Sequence, residues 1–596
     1  MKARKKNISY LFAALLAFFF CDRAAALYES ADGDFGVKLL AAGNVLSDIL
    51  RRPFYLSSLP NALLFGMFGV TIVLLCYAYF VLGAHKLLPG KEHGSAEWGA
   101  PEDIARLMDK DPAKNMILTE TESLSMSSRM PFTKDDDFNR NKHVLVVGGS
   151  GSGKSRNVMK PNILQMNCNY VITDPKGALL EECGYALATN GYKIKILDLV
   201  HMDHSDHYNL FAYMHTEDDI VKVAKNIITN LKADPRQKTS SDPIWEEGMT
   251  GILEALLAYV LFELQPADRN MNSVMELFRL TQVKESVPDY VSPLDVLFDD
   301  LKKSKPDAFA VKQYEIYKMA APKTAESINV SLGLRLSSFN IPSVSRLVQD
   351  DTLHLEDFAG ESKVALFIIT PDTTKAYNFL AAVLYQQMFD ILVYAADSTS
   401  AHRLPRHCRL MMDEFANIGQ IPDFECLIST LRSREISVTI VLQSMAQLKS
   451  MYHDDWQTIV DNCDSLLFLG GSKAVENLEY FSKILGKQTI EVMNTSENKG
   501  SQGSFTKSYQ SLGRELMTPD EIQRMPRRFC LLMVTGLKPF YSRKYDLTKH
   551  PNYHLLKDAN KANAFDFNRR DLLATSAFMS DISTVSTASC AELNDL

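Results

Sequence analysis

His143-Val144-Leu145-Val146-Val147-Gly148-Gly149-Ser150-Gly151-Ser152-Gly153-Lys154-Ser155 is the stretch that decides the fold. Its first five residues are a short apolar run of the kind buried as a strand. Gly148 to Ser155 satisfy G-x-x-x-x-G-K-[ST], in which backbone N–H groups close around phosphate oxygens. Gly148, Gly149, Gly151 and Gly153 let the loop approach phosphate without Cβ interference, with Ser150 and Ser152 between them. A helix is expected from there to Gln165, with Pro161 in its middle, and its N-terminus adds partial positive charge. The pattern directs Lys154 to the β- and γ-phosphates and the Ser155 hydroxyl to a metal, so ATP and Mg²⁺ are the expected ligands.

A phosphate loop needs a carboxylate to hold the magnesium. Strand-like runs recur at Tyr170–Thr173, Lys193–Leu197, Val364–Thr370, Cys408–Met412, Ser437–Leu442, Ser465–Leu469 and Phe529–Val534. Helical segments separate most of them, which implies an α/β fold with a largely parallel sheet. Only the strand ending in Met412 runs into paired acids, Asp413-Glu414. The carboxyl end of such a strand opens on the crevice where ligands bind. Asp413 is then the Mg²⁺ partner beside Ser155, and Glu414 the base that orients the attacking water. Gln443, ending the strand at 437–442, is the candidate γ-phosphate sensor. Arg432 and Arg434, just before that strand, are candidates for a transition-state cation reaching a neighbouring subunit's ATP.

Composition sets the frame around this motif. The chain has 596 residues, 46% hydrophobic and 23% charged, which excludes a mainly disordered or collagen-like protein. With 64 Lys+Arg against 72 Asp+Glu, the net charge of −8 argues against a surface basic all over, though not against a local basic channel. Nine scattered cysteines form no CxxC pair, as expected of a chain in a reducing compartment. At the N-terminus, Lys2, Arg4, Lys5 and Lys6 precede an apolar segment over 8–21 that Asp22-Arg23 interrupt. It reads either as a short span or as a signal cleaved after Ala26. A second segment, 62–84, holds no charge and is long enough to cross a bilayer. The basic end stays inside, so residues 22–60 form an extracytoplasmic loop and the bulk of the chain returns to the cytoplasm.

Several segments together resemble the type IV secretion coupling proteins, the TraG/TraD-type ATPases of conjugative DNA transfer. They are His93-Gly94-Ser95-Ala96-Glu97-Trp98-Gly99, Thr173-Asp174-Pro175-Lys176-Gly177 and Tyr208-Asn209-Leu210-Phe211. The most specific is Met412-Asp413-Glu414-Phe415-Ala416-Asn417-Ile418-Gly419, followed by Arg432-Ser433-Arg434 and Leu442-Gln443-Ser444. Leu516-Met517-Thr518-Pro519-Asp520-Glu521-Ile522 and Gly536-Leu537-Lys538-Pro539 look like the closing elements. Ala178 stands where the family usually has Glu, and Asn209-Leu210-Phe211 lacks the family's proline. The resemblance implies a RecA-like P-loop motor domain, an inserted all-α domain and a homo-hexameric ring at the inner membrane. The implied partners are single-stranded DNA with its bound relaxase, the type IV secretion channel components and the membrane.

The expected organisation is a membrane anchor over 1–90, a RecA-like domain over 91–214 and 350–555, an all-α insertion over 215–349 and a disordered tail over 556–596. Trp245, Met249, Ile252, Leu253, Leu256, Leu257, Val260 and Leu261 recur at helical spacing inside the insertion. Residues 217–307 hold 11 Lys+Arg and 17 Asp+Glu, whereas 514–549 hold eight and four, including Arg543 and Lys544. The polar stretch 494–511 is expected to be a flexible loop. Two other functions fit the motifs: a nucleotide-switched receptor for protein substrates that does not pump, and a duplex-DNA translocase of the chromosome-segregation type.

Overall fold

The computed structural model of the protein describes residues 2–82, 91–126, 140–231, 243–281, 290–498 and 504–570. The chain divides into two compact units, Met1–Glu92 with Thr489–Ser511, and His93–Gln488 with Leu512–Leu596.

In the first unit, helices α1 (Lys2–Ser30) and α4 (Pro60–Leu82) pack against each other, with α2 (Phe35–Gly43) and α3 (Val45–Arg51) between them in sequence. Tyr10 and Tyr77 meet edge to face at 4.9 Å, and Asn61 donates to Glu29 at 2.9 Å. Tyr10–Ser30 and Pro60–Tyr79 are long and apolar enough to cross a membrane. Here the structure corrects the sequence reading, because α1 does not stop at Cys21. It continues through Asp22 and Arg23, which are buried and partnered. Arg23 donates to Asp48 at 2.7 Å and to the Arg52 carbonyl, with its guanidinium over the Phe19 and Tyr55 rings. Asp22 accepts the Ser57 N–H at 3.1 Å. Charged residues held by such partners need not break an apolar helix, although Asp22 Oδ1 and Arg23 Nε have none.

The second unit is built on a nine-stranded sheet. After a small ladder of β1 (Asn115–Ile117) and β2 (Ser123–Ser125) come β3 (Val144–Val147), β4 (Asn169–Pro175), β5 (Lys193–Asp198), β6 (Val364–Thr370), β7 (Cys408–Met412), β8 (Ile436–Leu442) and β9 (Ser465–Phe468). Next in sequence come the paired strands β10 (Lys487–Asn498) and β11 (Ser504–Glu515), which belong mostly to the first unit, then β12 (Phe529–Val534) and β13 (Phe540–Arg543) of the second. The order is β13-β12-β9-β3-β8-β7-β4-β6-β5. Strands β9 to β5 run parallel, and β12 is antiparallel to both β9 and β13. The parallel strands are buried nearly throughout, as sheets covered on both faces require.

Between β5 and β6 the described residues contain helices and no strand. The helix Pro243–Glu263 buries Met249, Ile252, Leu253, Leu256, Leu257, Val260 and Leu261, and these join one core with the sheet face that carries Leu145, Leu410 and Ile440. The third long apolar helix, Asn378–Ser398, is largely buried in this core, where Tyr385 bonds Thr173 of β4 at 2.6 Å.

Two further expectations are corrected. The stretch 494–511 contributes to the paired strands β10 and β11; its residues 499–503 lie outside the described residues. The tail does not begin at 556. Leu556 and Phe565 are buried, the Phe565 N–H donates to the Glu181 carbonyl at 3.0 Å, and Arg570 pairs with Asp206 at 2.7 Å. A few apolar anchors hold an otherwise polar segment. The rest of the expected tail, 571–596, lies outside the described residues.

Candidate functional site

The loop after β3 is shaped by its neighbours as much as by its glycines. The Gly148 N–H donates to Leu442 on β8 and the Gly149 N–H to Gly470 after β9. A Cβ at position 149 would lie 2.2 Å from the Gly471 carbonyl oxygen, so only glycine fits. Gly153 takes φ +91°, a left-handed conformation that side chains resist. The chain then winds as a π turn over Ser155–Met159 and an α turn over Lys160–Ile163. Pro161 has no N–H to return to the fourth residue back, and the wider turn absorbs the missing bond. Asn162 on this helix bonds Ile117 of β1 and accepts from the guanidinium of Arg409 at 2.9 Å. Arg409 is buried on β7 and also donates to Thr439 of β8. One side chain thereby ties the phosphate-loop helix to the two strands that carry Asp413 and Gln443.

The acids arrive at the same place. Ser155 Oγ donates to Asp413 Oδ2 at 2.9 Å, joining residues 258 apart in sequence. Glu414 follows in a left-handed conformation, φ +52°, with its carboxylate 3.9 Å from Lys154 Nζ. Lys154 donates to the Gly148 carbonyl at 3.0 Å. Glu414 also accepts from Gln447 at 3.4 Å, and Gln447 Oε1 accepts the Gln443 N–H at 2.8 Å. Burial pushes the Asp413 carboxyl above its ordinary range, against the pull of Ser155 and Lys154. Asp174, at the end of β4, is pushed up to about 7, chiefly by burial; the Leu180 and Leu179 amides oppose the shift and Asp413 adds to it.

Lys154, Ser155, Asp174, Asp413, Glu414 and Gln443 line a cavity of about 440 Å³ together with Ser150, Gly151, Lys176, Glu182 and Asp372. Two buried polar atoms in this region, Ser152 Oγ and Asp174 Oδ1, have no hydrogen-bond partner. Unpaired polar atoms beside a glycine cradle, a lysine and a hydroxyl–carboxylate pair fit a polyphosphate with a divalent cation.

The structure thus brings Lys154, Ser155, Asp413, Glu414 and Gln443 together. It does not bring Arg432 or Arg434 to this cavity. Both precede β8, at the end of the sheet opposite the phosphate loop, and Arg434 is held by Asp397 at 2.8 and 2.9 Å. Sequence chemistry alone assigns no site role to Asp174 or Gln447, and marks Lys544 only as one of the basic residues of 514–549. Lys544 donates to the Ser152 carbonyl at 2.8 Å, and Asn157 to the Tyr545 carbonyl at 2.8 Å, so the segment after β13 braces the loop. The Asp-Pro-Lys-Gly turn and the basic stretch 514–549 were the available signals for Asp174 and Lys544.

Known proteins share this architecture. A family model described as Type IV secretory system conjugative DNA transfer matches residues 100–564, more than half of the chain. The conjugal transfer protein TraG of Rhizobium radiobacter is 22% identical over 533 residues, covering 84% of this chain and 80% of its own. A conjugal transfer protein TraG of Escherichia coli is 23% identical over 468 residues, covering 73% and 71%. Among solved structures, the plasmid coupling protein TrwB in complex with ADP and Mg²⁺ aligns with a TM-score of 0.52 at 18% identity, covering 76% of this chain and 92% of TrwB. The sulphate complex of the TrwB fragment aligns with a TM-score of 0.55 at 18% identity, over 77% and 96%.

Proposed function

The chain belongs to the Type IV secretory system conjugative DNA transfer family, and from that premise we propose that it is a membrane-anchored coupling ATPase. In this reading it receives single-stranded DNA with its bound relaxase and uses ATP hydrolysis to drive the substrate into a type IV secretion channel. The observation that carries the enzymatic part is the Ser155–Asp413 hydrogen bond of 2.9 Å in the cavity that also holds Lys154 and Glu414.

The roles follow from the chemistry of the side chains. Backbone N–H groups of Ser150, Gly151, Gly153 and Lys154 would cradle the phosphates, with Lys154 exchanging the Gly148 carbonyl for phosphate oxygen. Ser155 and Asp413 would hold magnesium, which would offset the charge of the phosphates. Glu414 takes the proton of the attacking water, and Gln443 reads the state of the γ-phosphate, with Gln447 bonded to both residues. Arg432 or Arg434 completes the site of an adjacent subunit, which accounts for their distance from the cavity of their own chain.

The wider arrangement is part of the same proposal. Residues 1–90 anchor the chain in the inner membrane through the two long apolar helices, with the bulk in the cytoplasm. Residues 91–214 and 350–555 act as a RecA-like motor, the helices of 215–349 as an all-α insertion that meets substrate, and six copies form the ring.

The test is ATP turnover by the purified protein with single-stranded, duplex or no DNA, beside transfer between cells. Stimulation by single-stranded DNA, with turnover and transfer both lost in Lys154→Ala and Glu414→Gln, is the expected result. Turnover indifferent to every DNA, or normal transfer by either variant, overturns it.

A further inference from the structure

The proposed reaction gives the metal to Ser155 and Asp413, yet a second carboxylate of the same cavity has no role in it. Asp174 follows Thr173 at the carboxyl end of β4, and Thr173 is the register partner of Met412 on β7. One residue further along, these adjacent parallel strands deliver Asp174 and Asp413 side by side. Asp174 is 1% exposed and lines the cavity. Its Oδ2 accepts the Leu180 N–H at 2.7 Å, while its Oδ1 has no partner. A buried carboxylate oxygen left unpaired is costly, and a fold retains one where something outside the chain completes it.

The nearby cations are committed elsewhere. Lys176, in the same turn, reaches Asp372 at 2.9 Å. Lys160 holds Glu182 at 2.5 Å and Asp558 at 3.1 Å. Lys154 lies beside Glu414. Among the described residues, no ion pair neutralises Asp174 or Asp413. The turn also fixes the Asp174 carboxylate in place: Lys176 and Gly177 take φ +79° and +75°, which carries the Leu180 amide back onto it.

We propose that Asp174 is a second carboxylate of the divalent-cation site, holding the metal's water shell together with Ser155 and Asp413. Magnesium gives up its waters reluctantly and is often bound through one or two carboxylates plus substrate phosphates, so an acceptor for those waters strengthens binding. This assignment rests on the nucleotide-site reading above.

The test uses the full-length protein carrying Glu414→Gln, titrated with Mn²⁺ in the presence of a non-hydrolysable ATP analogue and followed by electron paramagnetic resonance. Adding Asp174→Asn is expected to weaken Mn²⁺ binding about tenfold or more, the loss typical of removing an outer-shell metal partner. Nucleotide affinity in EDTA stays unchanged. The asparagine keeps an oxygen for the Leu180 N–H, and Asp174→Ser, which lacks the charge and the reach, should lose Mn²⁺ in the same way. Melting in EDTA should be no lower for Asp174→Asn, which keeps the Leu180 N–H satisfied. Parent-like Mn²⁺ affinity in Asp174→Asn, with Asp413→Asn impaired, overturns the proposal. So does a lower melting point or weaker EDTA-phase nucleotide binding in both variants, since the residue would then only hold the turn. Failure of the Glu414→Gln protein itself to bind nucleotide would instead overturn the nucleotide-site reading.

Discussion

The two ends of the parallel sheet are both rich in buried polar groups, and they treat them in opposite ways. At the amino end, His143 is wholly satisfied: its Nδ1 accepts the Val438 N–H at 3.0 Å and its Nε2 donates to the Ile428 carbonyl at 3.1 Å. His407 lies between Glu435 at 2.9 Å and Ser437 at 2.8 Å, and Lys142 donates to the Met126 carbonyl at 2.6 Å. At the carboxyl end, Ser152 Oγ and Asp174 Oδ1 are unpaired, Glu414 is held left-handed, and like charges crowd together. Ser465 Oγ and Arg406 Nε are the exceptions among the amino-end groups. Closed polar networks make a sheet specific and rigid, whereas open ones keep a place for a ligand. One sheet thus carries a structural end and a reactive end.

The largest effect separating them is catalytic. Glu414→Gln removes the proposed base and should lower ATP turnover by about 10²–10⁴-fold. Its urea midpoint should match the parent, because the carboxylate makes only a 3.4 Å contact and a 3.9 Å ion pair. A fall in stability that parallels the lost turnover would make the reactive end structural after all.

The converse substitution is His143→Ala. It strands the Val438 N–H and the Ile428 carbonyl and opens a cavity under β3, costing about 2–4 kcal/mol of folding free energy. Turnover per folded molecule should survive. Chemical denaturation beside an active-site titration distinguishes a lost fold from a lost site.

Acid should act on the two ends with opposite sign. Burial depresses the His143 pKa to about 3 and that of His407 to about 4, below an unfolded value near 6.5. As pH falls through about 6.5 the unfolded chain takes up protons that the folded chain refuses, so stability is lost progressively down to those values. By pH 5 each histidine should cost about 2 kcal/mol. Asp174 works the other way. Its folded pKa of about 7 exceeds the unfolded one, so its neutral form adds stability as pH drops from about 7 towards 3.8. Denaturation in EDTA at pH 7 and pH 5 should show His143→Asn losing less than the parent and Asp174→Asn losing more. Equal losses in all three would remove the electrostatic distinction.

Eight of the nine sheet strands could be read from the sequence because each is a short apolar run bounded by polar turns, a property of neighbouring residues; β13, which buries only alternate residues, could not. Lys154, Ser155, Asp413 and Glu414 were legible because strand ends in such sheets converge on one edge. What could not be read depended on partners distant in sequence. Arg23 looks like a break until Asp48 is seen beside it, and Asp174 looks like part of a turn until β4 is found next to β7. Phe565 looks like part of a tail until the Glu181 carbonyl accepts its N–H. Stretch 494–511 read as a loop because its polar strands answer to each other and not to an apolar core.

Arg434 gives the smallest effect on folding and the finest test of the comparison, since it stands at the structural end with a role proposed at the reactive end of a neighbour. Its pair with Asp397 is partly exposed, so Arg434→Ala should change folding free energy by no more than about 1 kcal/mol. If it reaches across an interface, turnover by the assembled protein should fall while nucleotide binding to dilute single subunits stays the same. Mixing Arg434→Ala with Glu414→Gln subunits sharpens this further. Each mixed ring then contains interfaces where an intact Arg434 faces an intact Glu414, and partial recovery of turnover is expected. No recovery at any mixing ratio, with assembly intact, would confine Arg434 to holding Asp397 and leave the reactive end complete within one chain.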